Sequence, residues 1–165
     1  MKKEQIYRLA LAVYGIVMLW LLFGQRMGHL SFDGYAQQLR MNLNLRPFDT
    51  VRRYLWVLRN STDPALIRTA VVNLGGNVLM FVPLGFLLPG VGPRLRRFGW
   101  LLLGAVLLIV SVELIQWLSL LGSCDVDDLI LNLAGIGLGF ALWKWIHRPR
   151  PDCHSERSGS SSPIN

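Results

Sequence analysis

The sequence predicts an all-α fold: an integral membrane bundle of four transmembrane helices, with an interfacial amphipathic segment between the first and second. Three observations predict it. The 165-residue chain is 52% hydrophobic and only 16% charged, too apolar for an ordinary soluble domain. Its apolar residues gather in runs long enough to cross a bilayer. Its short loops differ sharply in arginine content, the pattern that orients helices in membranes. A formal net charge of +7 can signal nucleic acid. Here the arginines sit beside apolar runs, so membrane orientation explains them better and no nucleic-acid partner is expected.

The first span is expected at about 6–24. Lys2, Lys3 and Arg8 precede an apolar run that ends near Phe23. Gly24-Gln25-Arg26 offers no small-x-small cleavage site, so the segment reads as a retained helix rather than a signal peptide. The connection 25–64 carries Arg26, Arg40, Arg46, Arg52, Arg53 and Arg59 against Asp33, Asp49 and Asp63. Within it Val51, Tyr54, Leu55 and Leu58 recur at helical spacing, with Arg52, Arg53 and Arg59 off the stripe. That is an amphipathic helix suited to a membrane surface, with Pro47 at its start.

The second span is expected at 66–88. Arg68 lies near its start, and Asn73 and Asn77 share one helix face. Gly75, Gly76, Pro83 and Gly85 permit kinks and close approach of a neighbour. The loop that follows holds Arg94, Arg96 and Arg97 and no acid. The third span, 98–121, contains Glu113 and Gln116, three apart and therefore on one face. A short acidic turn with Asp125 and Asp127 leads to the fourth span, 128–146. Asp128 at its start suits the helix dipole, Asn132 lies one turn further on, and Gly135 and Gly139 form a small-x-x-x-small pair that can seat a helix neighbour. The domain thus covers 1–146. The tail 147–165, rich in serine and basic residues, reads as disordered. Cys124 and Cys153 fall in loops on opposite sides of the bilayer, which disfavours a disulfide between them.

Arginine content places the 89–97 loop in the cytoplasm and the 122–127 turn outside. Both termini are then cytoplasmic, in the inner membrane. The long, arginine-bearing 25–64 connection falls outside and counts against that orientation. The order of the runs has a firmer consequence. Arg68, Asn73, Asn77, Glu113, Gln116, Asp125, Asp127, Asp128 and Asn132 all fall toward one leaflet, whichever way the protein is inserted. An ionised carboxylate at mid-bilayer costs at least about 2.5–3.5 kcal/mol on insertion scales. Glu113 must therefore be protonated, paired or facing water, and Arg68 or an arginine of the first connection is the expected partner.

Four segments carry a resemblance: Asn44-Leu-Arg-Pro-Phe-Asp-Thr-Val, Asn77-Val-Leu-Met-Phe-Val-Pro-Leu-Gly-Phe-Leu-Leu-Pro, Glu113-Leu-Ile-Gln, and Asp125-Val-Asp-Asp-Leu-Ile-Leu-Asn-Leu-Ala-Gly. In combination they resemble the VanZ-like family of small bacterial membrane proteins. The resemblance implies a multi-span helical protein. The founding member is associated with low-level resistance to teicoplanin, a lipid-tailed glycopeptide antibiotic. The family often places an arginine and an aromatic before the aspartates; Gly122 and Cys124 stand there in this chain.

The readings compete. The first is a site at the outer leaflet for membrane lipids, a lipid-tailed glycopeptide or a lipid-linked envelope precursor. Its candidate residues are Glu113, Gln116, Asp125, Asp127, Asp128, Asn132, Asn73, Asn77, Arg46 and Arg68. The second is an intramembrane enzyme in which Glu113, Asp125, Asp127 and Asp128 act as acid and base, or hold Mg²⁺ or Ca²⁺. His29, His147 and His154 fall outside the polar set, which disfavours zinc, and no metal or cofactor is expected under the first reading. The third makes the polar residues interhelical hydrogen bonds, each worth about 0.6 kcal/mol. A transport pathway would need a dimer, for which Gly135 and Gly139 are the expected seat.

Overall fold

The computed structural model describes residues 3–24 and 34–148. Gln25, Arg26, His29, Asp33, Cys153 and the tail from Pro149 onward lie outside the described residues, and with them the expectations of tail disorder and of cysteine placement. Four helices are long and apolar enough to cross a membrane. The first, α1, covers Lys3–Leu19 and continues through a π-helical turn at Trp20–Gly24. The second, α4, covers Pro64–Val91. The third, α5, covers Phe98–Leu118, and the fourth, α6, Val126–Ile146. Only 6% of the α1 window and 28% of the α6 window is buried within the protein, so most of this apolar surface needs lipid to cover it.

The span boundaries differ from the expected ones for local reasons. At α4, Asp63 caps the helix by accepting from the Ala65 N–H at 2.9 Å, and Pro64 occupies the first turn, where a missing N–H costs nothing. The α5 helix stops at Leu118 rather than 121. Leu120 turns left-handed at φ 55°, and the N–H groups of Leu121 and Gly122 fold back on the Gln116 carbonyl at 2.9 and 3.1 Å. The α6 helix starts at Val126 rather than 128. Its cap is Asp125, not Asp128: the Asp125 Oδ1 accepts from the Asp127 N–H at 2.8 Å.

Helices α4 and α6 form the principal pair, brought together by glycines. A Cβ added at Gly135 would lie 2.1 Å from the Val78 carbonyl oxygen, and one at Gly139 2.0 Å from that of Val82. Gly85 meets the Ile136 carbonyl in the same way at 2.1 Å. Backbone at that range admits no side chain. Gly135 and Gly139 thus face α4 of their own chain and are buried. Around this seam the core gathers Phe81, Leu84, Leu101, Ala105, Ile109, Ile136 and Phe140, with Met18 of α1. Helix α1 packs on α4, where the Tyr14 hydroxyl donates to the Met80 carbonyl at 2.7 Å.

The connection between α1 and α4 is largely structured. Short helix α2 covers Tyr35–Met41, strand β1 Leu43–Asn44, and amphipathic helix α3 Asp49–Asn60. Strand β1 pairs in parallel with β2, Cys124–Asp125, just before α6. Helix α2 is latched to the end of α5: Trp117 Nε1 donates to the Leu39 carbonyl at 2.8 Å and the Tyr35 hydroxyl to the Leu118 carbonyl at 2.7 Å. In α3 the face turned to the bundle is Val51, Tyr54 and Val57. Leu55, Trp56 and Leu58 are exposed beside Arg52, Arg53 and Arg59. The expected stripe through Leu55 and Leu58 is thus displaced by Val57, and the leucines are left for an apolar surrounding. Pro47 precedes the helix rather than starting it, because Phe48 enters in the left-handed region at φ 64°.

The bundle has a basic end and a polar end. Lys3, Arg96 and His147 lie around one cleft, so both ends of the described chain share a side with the Pro93–Arg96 3₁₀ turn. The polar end carries β1, β2, α3 and the site described next.

Candidate functional site

Six of the residues singled out from sequence come together. Asn73 and Asn77 from α4, Glu113 and Gln116 from α5, and Asp128 and Asn132 from α6 line one cavity of about 470 Å³. Helical spacing explains each pair: three or four residues apart, both members face the same way. Ser123 of the acidic turn, which sequence reasoning passed over, lines it too. From the polar end the cavity runs on between apolar walls. Leu11, Gly15, Met18 and Leu22 of α1, Met80, Leu84 and Leu88 of α4, and Ile109 and Val112 of α5 form them.

The cavity reaches the lipid-facing surface. Leu19 of α1 and Leu108 of α5 both line it, yet are 59% and 48% exposed. Helix α1 packs on α4 and far less on α5, so the seam between α1 and α5 is the side opening. Its wall has room at Gly15, where an added Cβ would meet nothing within 4 Å.

Hydrogen bonds set the polar wall. Asn77 donates its side-chain amide to the Asp128 carboxylate across the α4–α6 seam. Gln116, buried, donates to the Leu22 carbonyl at 3.0 Å, satisfying an otherwise exposed carbonyl at the end of α1. Asn73 donates to the Thr69 carbonyl at 2.8 Å. Asn132 is 4% exposed, and its Oδ1 has no hydrogen-bond partner among the described residues.

Asp125 and Asp127 belong to a different construction. Neither lines the cavity. Asp125 Oδ2 accepts from the Thr50 hydroxyl at 2.6 Å and from the Asn44 amide at 3.2 Å. Asp127, 0% exposed, accepts from the Phe48 N–H at 2.5 Å and the Val51 N–H at 3.0 Å. It thereby caps the start of α3 from another helix, in place of a local side chain. Adjacent on α6, Asp127 and Asp128 point about 100° apart; one holds α3 and the other faces the cavity. Asp125 and Asp127 are therefore held by Asn44, Thr50 and backbone amides.

Arg46 and Arg68 are exposed and do not line the cavity. Beside the polar wall, burial first, then the charges of Glu113 and Asp125, push the Cys124 thiol above its ordinary range. The Tyr54 hydroxyl is raised likewise, by burial and by Asp128 and Asp125 against the lowering effect of Arg53. The described residues hold no group of three or more His, Cys, Asp or Glu able to bind a metal. Chemically, the arrangement offers an acidic, amide-rich head region joined to a hydrocarbon-lined trough.

Comparison with known proteins agrees with the motifs. A family model described as VanZ/LLP1 matches residues 11–147. Protein VanZ of Enterococcus faecium is 31% identical over 136 residues, which cover 81% of this chain and 70% of that protein. No solved structure gives a significant match.

Proposed function

The chain belongs to the VanZ/LLP1 family, and from that premise we propose that it binds a lipid-tailed amphiphile of the cell envelope sideways out of the bilayer. A lipid-tailed glycopeptide of the teicoplanin type, or an envelope lipid that such a compound engages, is the class intended. One observation carries this reading: a single cavity is acidic and amide-lined at one end, apolar along the rest, and opens between Leu19 and Leu108 toward lipid. A head group would sit among Asn77, Glu113, Asp128 and Asn132, and a hydrocarbon chain would follow Met18, Leu84 and Leu88.

Burying a hydrocarbon chain gains about 0.8 kcal/mol per methylene only relative to water. For a ligand already in lipid that gain vanishes and the polar end must supply the selectivity; for one arriving from water, as an added glycopeptide does, the tail contributes as well. The proposal places that end at the outer leaflet of the cytoplasmic membrane, because Arg94, Arg96 and Arg97 mark the other end as cytoplasmic. Helix α3, with exposed Leu55, Trp56 and Leu58 among arginines, would then rest on the outer surface and fix the mouth of the site.

The test is susceptibility of cells expressing the chain. Wild type is expected to protect against a lipid-tailed glycopeptide and not against a tail-less glycopeptide of the same class. Glu113→Gln, at equal membrane abundance, is expected to lose most of that protection. Protection against both compounds alike, or full protection by Glu113→Gln, would overturn the reading.

A further inference from the structure

We propose that the head group taken by the cavity is a hydrogen-bond donor carrying positive charge, a primary ammonium, and not a phosphate. This rests on the amphiphile reading and goes beyond it by assigning the chemistry of the head.

The polar wall is rich in acceptors. It contains the carboxylates of Glu113 and Asp128, while among the described residues no lysine, arginine or histidine lines the cavity. Three amide donors of the wall are engaged with the protein: Asn77 with Asp128, Asn73 with the Thr69 carbonyl, and Gln116 with the Leu22 carbonyl. The buried Oδ1 of Asn132 is an acceptor with no donor among the described residues. A buried acceptor without a donor is costly, and an ammonium supplies three. Its charge also offsets carboxylates taken out of water. A phosphate would bring negative charge beside two acids, where opposition is strong because the surroundings are apolar.

The same chemistry has two sources, a membrane lipid with an amine head and a foreign amphiphile with an amino group. Native mass spectrometry of the purified full chain in a neutral polyoxyethylene detergent distinguishes them. Dodecylamine, dodecyl phosphate and dodecyl maltoside are titrated singly. Dodecylamine is expected to bind at least about tenfold more tightly than dodecyl phosphate, a difference of about 1.4 kcal/mol. The double variant Glu113→Gln, Asp128→Asn is expected to lose that preference without losing dodecyl maltoside. If the double variant does not purify, Asn132→Leu serves, with the amine weakened relative to the maltoside. Equal binding of amine and phosphate, or tighter phosphate, overturns the ammonium assignment and leaves the amphiphile site standing. Binding of all three that survives Gly15→Trp, or no binding of any, overturns the amphiphile reading as well. Displacement of dodecylamine by phosphatidylethanolamine assigns the ammonium to a membrane lipid. Failure of that displacement, with dodecylamine bound, assigns it to a foreign amphiphile.

Discussion

The Asn77 side-chain amide on α4 donates to the Asp128 carboxylate on α6, and this bond crosses the glycine-packed seam between the two helices at the polar wall. Intramembrane hydrogen bonds contribute about 0.6 kcal/mol on average and about 1.7 at most; an ionised acceptor puts this one toward the upper value. A double-mutant cycle with Asn77→Ala and Asp128→Ala, read by reversible unfolding in mixed micelles, is expected to give a coupling of about 1–2 kcal/mol. A coupling near zero would mean that the bond contributes nothing to joining α4 and α6.

Asp127 is expected to behave unlike its neighbour. It lines no cavity and holds the N–H groups of Phe48 and Val51. Loss of a cap and of bonds to a charged acceptor costs about 2 kcal/mol or more. Asp127→Ala should therefore release α3, seen as faster amide exchange and proteolysis between 46 and 60, while Asp128→Ala leaves α3 protected.

The α4–α6 seam gives a steric prediction. Gly139→Ala places a methyl carbon 2.0 Å from the Val82 carbonyl oxygen, a clash that only backbone movement relieves. The expected loss is about 1–3 kcal/mol, read as a lower unfolding midpoint. Gly137→Ala and Gly104→Ala, where the added Cβ meets nothing within 4 Å, should leave the midpoint unchanged.

Cys124 reports the charge of Glu113. Its thiol is raised by burial and then by Glu113 and Asp125, so the thiolate forms later as pH climbs. In a Cys153→Ser background, iodoacetamide labelling should rise through a midpoint above the ordinary thiol range. Glu113→Gln removes one of the negative charges and should move that midpoint down. An unmoved midpoint would show that Glu113 carries no charge at neutral pH.

Much of this architecture is written locally. Run length marks α1, α4, α5 and α6, and spacing pairs Asn73 with Asn77, Glu113 with Gln116, and Asp128 with Asn132. What sequence hides is long-range. Nothing local pairs Leu43 and Asn44 with Cys124 and Asp125, or makes Asp127 a cap for a helix that lies nearly eighty positions earlier. The separation of α1 from α5 that opens the cavity is likewise a matter of packing. Arg68 is a different case. It lies nine residues before Asn77, two and a half turns, and so on the opposite face of α4; its exclusion from the site was legible in the spacing. For Gly135 and Gly139 the need for a close neighbour was legible, but not that α4 meets them.

The most direct measurement is binding of teicoplanin and of its deacylated form to the full chain in nanodiscs. The acylated compound is expected to bind at least about tenfold more tightly. Gly15→Trp, which fills open space in the cavity wall without a backbone clash, should abolish that difference. Equal binding of the two forms, or an advantage of the acyl chain untouched by Gly15→Trp, would contradict a cavity that takes the lipid tail.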